Sequence, residues 1–257
     1  MRFFDVNAMI GPVFAPRLGN APGAEELLAD MDLYGIQQAL VFHGLAYEYH
    51  GMTGNRELMD LLAGQPRLKA AWIVGLHQAG QYPPPGELVA ELLDSGAVAA
   101  RFFWGGVLAE TSYPDYDAHA ALWGELEKHR VPTVVTFDEA PTITGAQIGQ
   151  LAEMLRSFPD LPVILSFARV AKDFAVLYDK LERYPNLHLD TTGLMLDLMI
   201  EDIVERVGAR RLVFGTNFPW YKPGQTRIAL AYAEISEADK GLIAGENLER
   251  LIGGIQR

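Results

Sequence analysis

The sequence predicts a (β/α)₈ TIM barrel, a ring of eight parallel strands each followed by a helix. Three observations predict it. Short apolar runs rich in β-branched and aromatic residues alternate with longer stretches of helical period. Eight such runs can be counted, and the 257 residues match the usual size of this barrel, about 250 residues. No low-complexity linker, charge block or composition shift divides the chain, so residues 1–257 read as a single domain. An open doubly wound sheet that bound a dinucleotide would need a Gly-rich phosphate loop after the first strand. Asn7-Ala8-Met9-Ile10-Gly11-Pro12 is not such a loop.

The elements follow in order. The first strand is expected at 2–6 (RFFDV), with a helix at 24–34 whose start is marked by Pro22-Gly23. Strands at 38–43 (QALVFH) and 69–76 (KAAWIVGL) precede helices at 55–63 and 86–94. The fourth strand, 97–103 (AVAARFF), precedes a helix at 117–129. The fifth, 132–136 (PTVVT), precedes one at 144–156 with Thr144 at its N-cap. Strands at 162–167 (PVILSF), 186–190 (NLHLD) and 211–215 (RLVFG) complete the eight, with helices at 171–183, at 196–207 and from about 225 to the end.

Composition narrows the function. Hydrophobic residues make up 49% and charged residues 21%, the balance of a packed globular protein. The formal charge of −12, from 21 Lys and Arg against 33 Asp and Glu, repels phosphate backbones and argues against a nucleic-acid partner. With no cysteine there is no disulfide, thiolate metal site or cysteine nucleophile. Asp5 stands where a signal peptide would need its apolar run, and no stretch is apolar enough to span a membrane. A cytoplasmic enzyme or small-molecule binding protein is the expectation.

Several segments carry a family likeness. They are Asp5-Val-Asn-Ala-Met9, Pro132-Thr-Val-Val-Thr136, Leu161-Pro-Val-Ile-Leu-Ser-Phe167, Leu189-Asp-Thr-Thr-Gly193, Phe214-Gly-Thr-Asn-Phe-Pro219, and Glu246-Asn247 with Arg250-Leu251. Over nearly its whole length the chain resembles the metal-dependent amidohydrolases of the amidohydrolase-related branch, which are TIM barrels. In that family the first strand ends in His-x-His, strands five and six each end in histidine, and strand eight ends in aspartate. Those five residues hold one or two metals. The matching positions here read Asn7, Met9, Thr136, Phe167 and Asn217. Met and Phe offer no hard donor, and Asn and Thr are weak neutral ligands, so the expectation is a divergent member with no metal and no other cofactor. The family's aspartate also takes the proton from the attacking water, and the amide of Asn217 has no basicity for that.

Chemistry in a barrel belongs at the C-terminal ends of the strands. His43 and His77 end the second and third strands, and Asp138 follows the fifth; these are the candidate catalytic bases. Arg101 lies within an apolar strand, where its charge demands a partner, either Asp5, Asp138 or a ligand anion. Asp5, two residues before Asn7, is expected on the same face as an acid hydrogen-bonded in the barrel floor. Arg169, Trp104 and Trp220 join Asn7, Met9, Arg101, Thr136, Phe167 and Asn217 as candidate substrate-binding residues on a rim whose centre is apolar rather than charged. His50, His119, His129 and His188 read as loop or surface residues.

Three functions compete. The first is a metal-independent hydrolase of lactonase or amidase type, or a lyase, acting on a small organic acid. The second is a non-catalytic pseudoenzyme that binds a small-molecule anion, and the third is a subunit that partners a catalytic protein. Assembly as a homo-oligomer is compatible with all three.

Overall fold

Eight consecutive buried residues, Phe3–Ile10, form strand β1 in the computed structural model, which describes residues 1–13, 22–104, 116–137, 145–166, 174–194 and 198–257. Strands β2 (Ile36–His43), β3 (Leu68–Ile73), β4 (Ala99–Phe103), β5 (Thr133–Thr136), β6 (Val163–Ser166), β7 (Leu187–Asp190) and β8 (Leu212–Val213) follow. They pair in chain order, each parallel to the next. The ring closes between β1 and the segment after β8. Val6 N–H donates to the Phe214 carbonyl and Met9 N–H to that of Phe218, both at 2.9 Å, and a parallel bridge joins Ala8 to Phe218. These bonds carry β1 to Ile10, so Asn7 and Met9 lie inside the strand rather than beyond it.

Helices pack around the ring: α1 (Ala24–Tyr34), α2 (Gly44–Glu48), α3 (Gly51–Leu62), α4 (Pro85–Ser95), α5 (Tyr116–Lys128), α6 (Gly145–Ser157), α7 (Phe174–Arg183), α8 (Met199–Val207), α9 (Gly224–Tyr232), α10 (Glu237–Gly241) and α11 (Asn247–Gly253). At the start of α1 the Glu26 carboxylate accepts from the Gly23 N–H at 2.9 Å, which satisfies an otherwise orphaned donor. The proposed Thr144 cap lies outside the described residues. The structure adds α2 and begins α3 four residues earlier than expected, through Gly51 and Gly54, residues of low helix propensity. Gly54 is instead a contact device: a Cβ there would strike the Ala46 backbone, so only glycine lets α3 lie this close to α2. Among the described residues no helix is long and apolar enough to cross a membrane.

Alternation along the strands sorts the side chains into layers. Phe4, Val6, Leu40, Ala71, Ala99, Val134, Ile164 and Val213 fill the lower interior, plugged from below by Leu248 and Leu251 of α11. Met9, Phe42, Ile73 and Phe103 fill the upper interior. The opposite faces of the strands pack against the helices.

A register shift in β1 between Asp5 and Ala8 breaks the expected alternation. It places Asp5 at the seam with the chain after β8, where its Oδ1 accepts from the Asn7 and Thr216 N–H groups, both at 2.9 Å, and its Oδ2 from the Thr216 hydroxyl at 2.5 Å. Burial raises the Asp5 carboxyl from its ordinary 3.8 to about 6, against the pull of those donors. The folded chain therefore holds this proton more tightly than the unfolded chain. The resulting stabilisation is complete below 3.8 and lost as pH rises through about 6. Denaturant unfolding of wild type and Asp5→Asn across this range should show wild type losing about 3 kcal/mol relative to the variant as pH rises. Parallel pH profiles for the two proteins would contradict this.

Candidate functional site

Arg101 projects into the barrel from β4, between the inward-facing Ala99 and Phe103 of the two layers. Its side chain is 1% exposed, and a guanidinium does not lose its proton, so the surroundings must stabilise a full charge. Among the described residues they do so through hydrogen-bond acceptors and through aromatic faces. One terminal nitrogen, Nη2, donates to Asn7 Oδ1 and to Thr136 Oγ1, both at 2.9 Å. The guanidinium carbon also lies 4.1 Å from the ring centre of Phe42 and 4.9 Å from that of Phe103, so both ring faces attract the charge.

Because Oδ1 of Asn7 serves the cation, its amide nitrogen points the other way. Nδ2 donates to Ser166 Oγ at 2.8 Å, with Asp190 Oδ2 and Asn217 Oδ1 each at 3.4 Å. Ser166 in turn donates to Asp190 Oδ2 at 2.7 Å. Thr192 donates its hydroxyl to the same oxygen at 3.0 Å and its N–H to Oδ1 at 3.1 Å. The Asn7 amide thus spans a buried cation and a buried carboxylate, its dipole aligned with both. Asn217 presents its amide from a left-handed backbone conformation, φ 58°.

The structure brings together Asn7, Arg101, Thr136 and Asn217 among the residues singled out from the sequence. Met9 packs above them with Phe42 and Phe103, and Trp220 and Tyr47 lie half-buried against this group. Trp104 departs from expectation. As the residue after the inward Phe103 it turns outward, stacks on Phe137 with ring centres 5.7 Å apart, and donates Nε1 to Gln150 Oε1 at 3.1 Å. Asp5 is not the partner of Arg101, since its oxygens serve Thr216 and the Asn7 N–H. Asp138, Phe167 and Arg169 lie outside the described residues.

The histidines sort differently from the sequence expectation. His43 follows the inward Phe42 and so faces away from the barrel axis; its ring fills the space against Gly11, where a Cβ would collide with it. It is fully buried, neither ring nitrogen has a hydrogen-bond partner among the described residues, and burial pushes its pKa down while Glu57 opposes that. His77 is exposed in a short 3-10 turn, with Nδ1 2.9 Å from the Tyr82 carbonyl. His119 and His188, expected at the surface, are both buried. His119 sits on the inner face of α5 against Phe102 and Trp123, with ring centres 4.7 and 5.6 Å away. His188 pairs in register with the inward Ile164.

Sequence reasoning named Asp190 only as a strand end and did not single out Ser166 or Phe42. A signal was available, since each is the inward residue at or next to its strand's C-terminal end.

Residues 8–254 match the amidohydrolase family. The chain belongs to that family. Comparison with curated proteins gives no match. Among solved structures it is similar to 2,6-dihydroxybenzoate decarboxylase in complex with 2,6-dihydroxybenzoate, at TM-score 0.76 and 18% identity over 98% of this chain and 99% of that one. Similar too is a dihydroxybenzoic acid decarboxylase from Polaromonas sp. JS666 with bound manganese and the inhibitor 2-nitroresorcinol, at 0.73 and 17% over 98% and 97%. A third is a probable 2-pyrone-4,6-dicarboxylic acid hydrolase from Acinetobacter baumannii with citric acid bound, at 0.71 and 14% over 98% and 100%. At these identities the likeness establishes the shared barrel.

Gly215 sets the seat of the carboxylate. A Cβ there would lie 2.8 Å from both Asp190 Oδ2 and Thr192 Oγ1. Gly215→Ala should therefore cost about 1–3 kcal/mol of unfolding free energy, the range for overpacking a filled interior. A variant as stable as wild type in denaturant titration would show that the Asp190 seat has slack.

Proposed function

We propose that this amidohydrolase is a metal-independent hydrolase or lyase that holds the carboxylate of a small organic acid on Arg101. The observation that carries this is the guanidinium bonded to Asn7 and Thr136. By the family resemblance those two positions belong to metal ligands. A permanent positive charge between them opposes a divalent cation, and both oxygens already accept hydrogen bonds from it. Asn7, Met9, Thr136 and Asn217 also lack the imidazole and carboxylate donors such a cation needs. The donor set does not fit the metal, and the arginine supplies the positive charge instead. The similar proteins, which include enzymes acting on dihydroxybenzoates and a pyrone dicarboxylate, support the substrate class.

In this proposal Arg101 neutralises the substrate carboxylate, and Met9, Phe42, Phe103, Tyr47 and Trp220 surround its apolar part. Proton transfer falls to carboxylates. Ser166 Oγ takes up a proton as its own passes to Asp190 Oδ2, and Asp138, two residues beyond Thr136 in sequence, is the further candidate base. His43, turned off the axis, and His77, exposed, are the weaker candidates.

Calorimetry with mono- and dicarboxylates, 2,6-dihydroxybenzoate and citrate among them, tests the reading. Arg101→Ala should weaken binding by about 2–5 kcal/mol, the range for truncating one side of a buried charge pair. Arg101→Lys should lose much of it too, because an ammonium lacks the planar fork. Asp190→Asn should leave binding of the same acids nearly intact and abolish turnover of any that is converted. The proposal fails if every acid binds the Ala variant as well as wild type.

A further inference from the structure

The N-terminal end of the barrel holds a second cluster of charge, remote in the fold from the strand ends that carry Arg101. Arg210 and Arg211 stand in the 3-10 turn Ala209–Arg211 that leads into β8, and Arg250 stands on α11, whose leucines plug the barrel floor. Asn247 ties the two elements together, donating to the Ala209 and Leu212 carbonyls at 2.8 Å each. Arg250 Nη2 comes within 3.4 Å of the Arg210 carbonyl. Arg211, half-buried behind them, donates Nε to the Leu187 carbonyl at 2.7 Å and Nη2 to that of Tyr184 at 2.6 Å.

Seven of the described arginines form ion pairs with carboxylates, whereas none of Arg210, Arg211 and Arg250 has a carboxylate within ion-pair distance among the described residues, a state they share with Arg227 and Arg257 but in which only they stand together. Their mutual field is felt locally. Burial, and after it the charge of Arg210, lowers Arg250, and burial together with Arg211 and Arg250 drives the buried His188 imidazole down to about 4, so it remains neutral. Arg211 spends two of its donors on backbone carbonyls, but Arg210 and Arg250 remain exposed side by side, and like charges held together on the stability face of a barrel repel one another.

We propose that Arg210 and Arg250, backed by Arg211, form a binding site for a small multivalent oxyanion, a phosphate or sulfate group. Exposed guanidinium forks on two adjoining elements suit a compact anion with several oxygens. The net charge of −12 disfavours an extended polyanion in the same place.

The test uses sulfate, whose double charge does not vary over the working pH range, in thermal unfolding of the full chain at constant ionic strength. A site of about 1 mM affinity should raise the wild-type Tm by about 3–6 °C at about 10 mM sulfate. Arg101→Gln should keep that rise, and the Arg210→Gln/Arg250→Gln double variant should lose it. In calorimetry each single Gln variant should bind sulfate about five-fold more weakly. The proposal is overturned if wild type shows no sulfate-dependent rise, if the double variant keeps it, or if Arg101→Gln alone removes it.

Discussion

Burying Arg101 inside a parallel barrel imposes a cost that the surrounding side chains offset, and the rest of the mouth is arranged around that requirement. The charge cannot be removed by deprotonation, so it needs acceptors and polarisable faces. Asn7 and Thr136 supply the acceptors, and Phe42 and Phe103 supply the faces. Once the Asn7 oxygen is committed to the cation, its nitrogen must find acceptors on the far side, and Ser166 and Asp190 stand there. Asp190 then needs room, which the chain just after β8 provides by placing Gly215 against it. Each step follows from the one before.

Strand β1 joins closure of the barrel to assembly of this site. Its register shift frees Asp5 to hold Thr216 at the seam, one residue before Asn217. The same carboxylate receives the Asn7 N–H, so one buried acid restrains the backbone at Asn7 and at the residue before Asn217. Fold and site therefore share a determinant, and a change at Asp5 should be felt in both.

The barrel was legible in the sequence because eight apolar runs alternate with helical stretches, and parallel strands buried on both faces make such runs. Arg101 was legible for the converse reason, as a charge where the pattern allows none. Strand parity was harder to read. The sequence places Trp104 and His43 at strand ends without saying that Phe103 and Phe42 are the inward members of each pair. Asp5 was legible as a buried, hydrogen-bonded acid, but not the face it takes, because a register shift leaves no mark in residue type. The Ser166–Asp190 pair was hidden because a short polar residue at a strand end looks the same whether it faces a site or merely ends a ladder. His188 and His119 were misplaced because polarity suggested the surface, whereas their neighbours in β7 and α5 place them inside.

The most direct measurement is anomalous diffraction from crystals grown with zinc and soaked with 2,6-dihydroxybenzoate, since it examines the positive centre itself. The expected result is a carboxylate on the Arg101 guanidinium and no anomalous peak between Asn7 and Thr136. A zinc peak at that position, with the guanidinium displaced from Asn7 and Thr136, would contradict the assignment of Arg101 as the cation of the site.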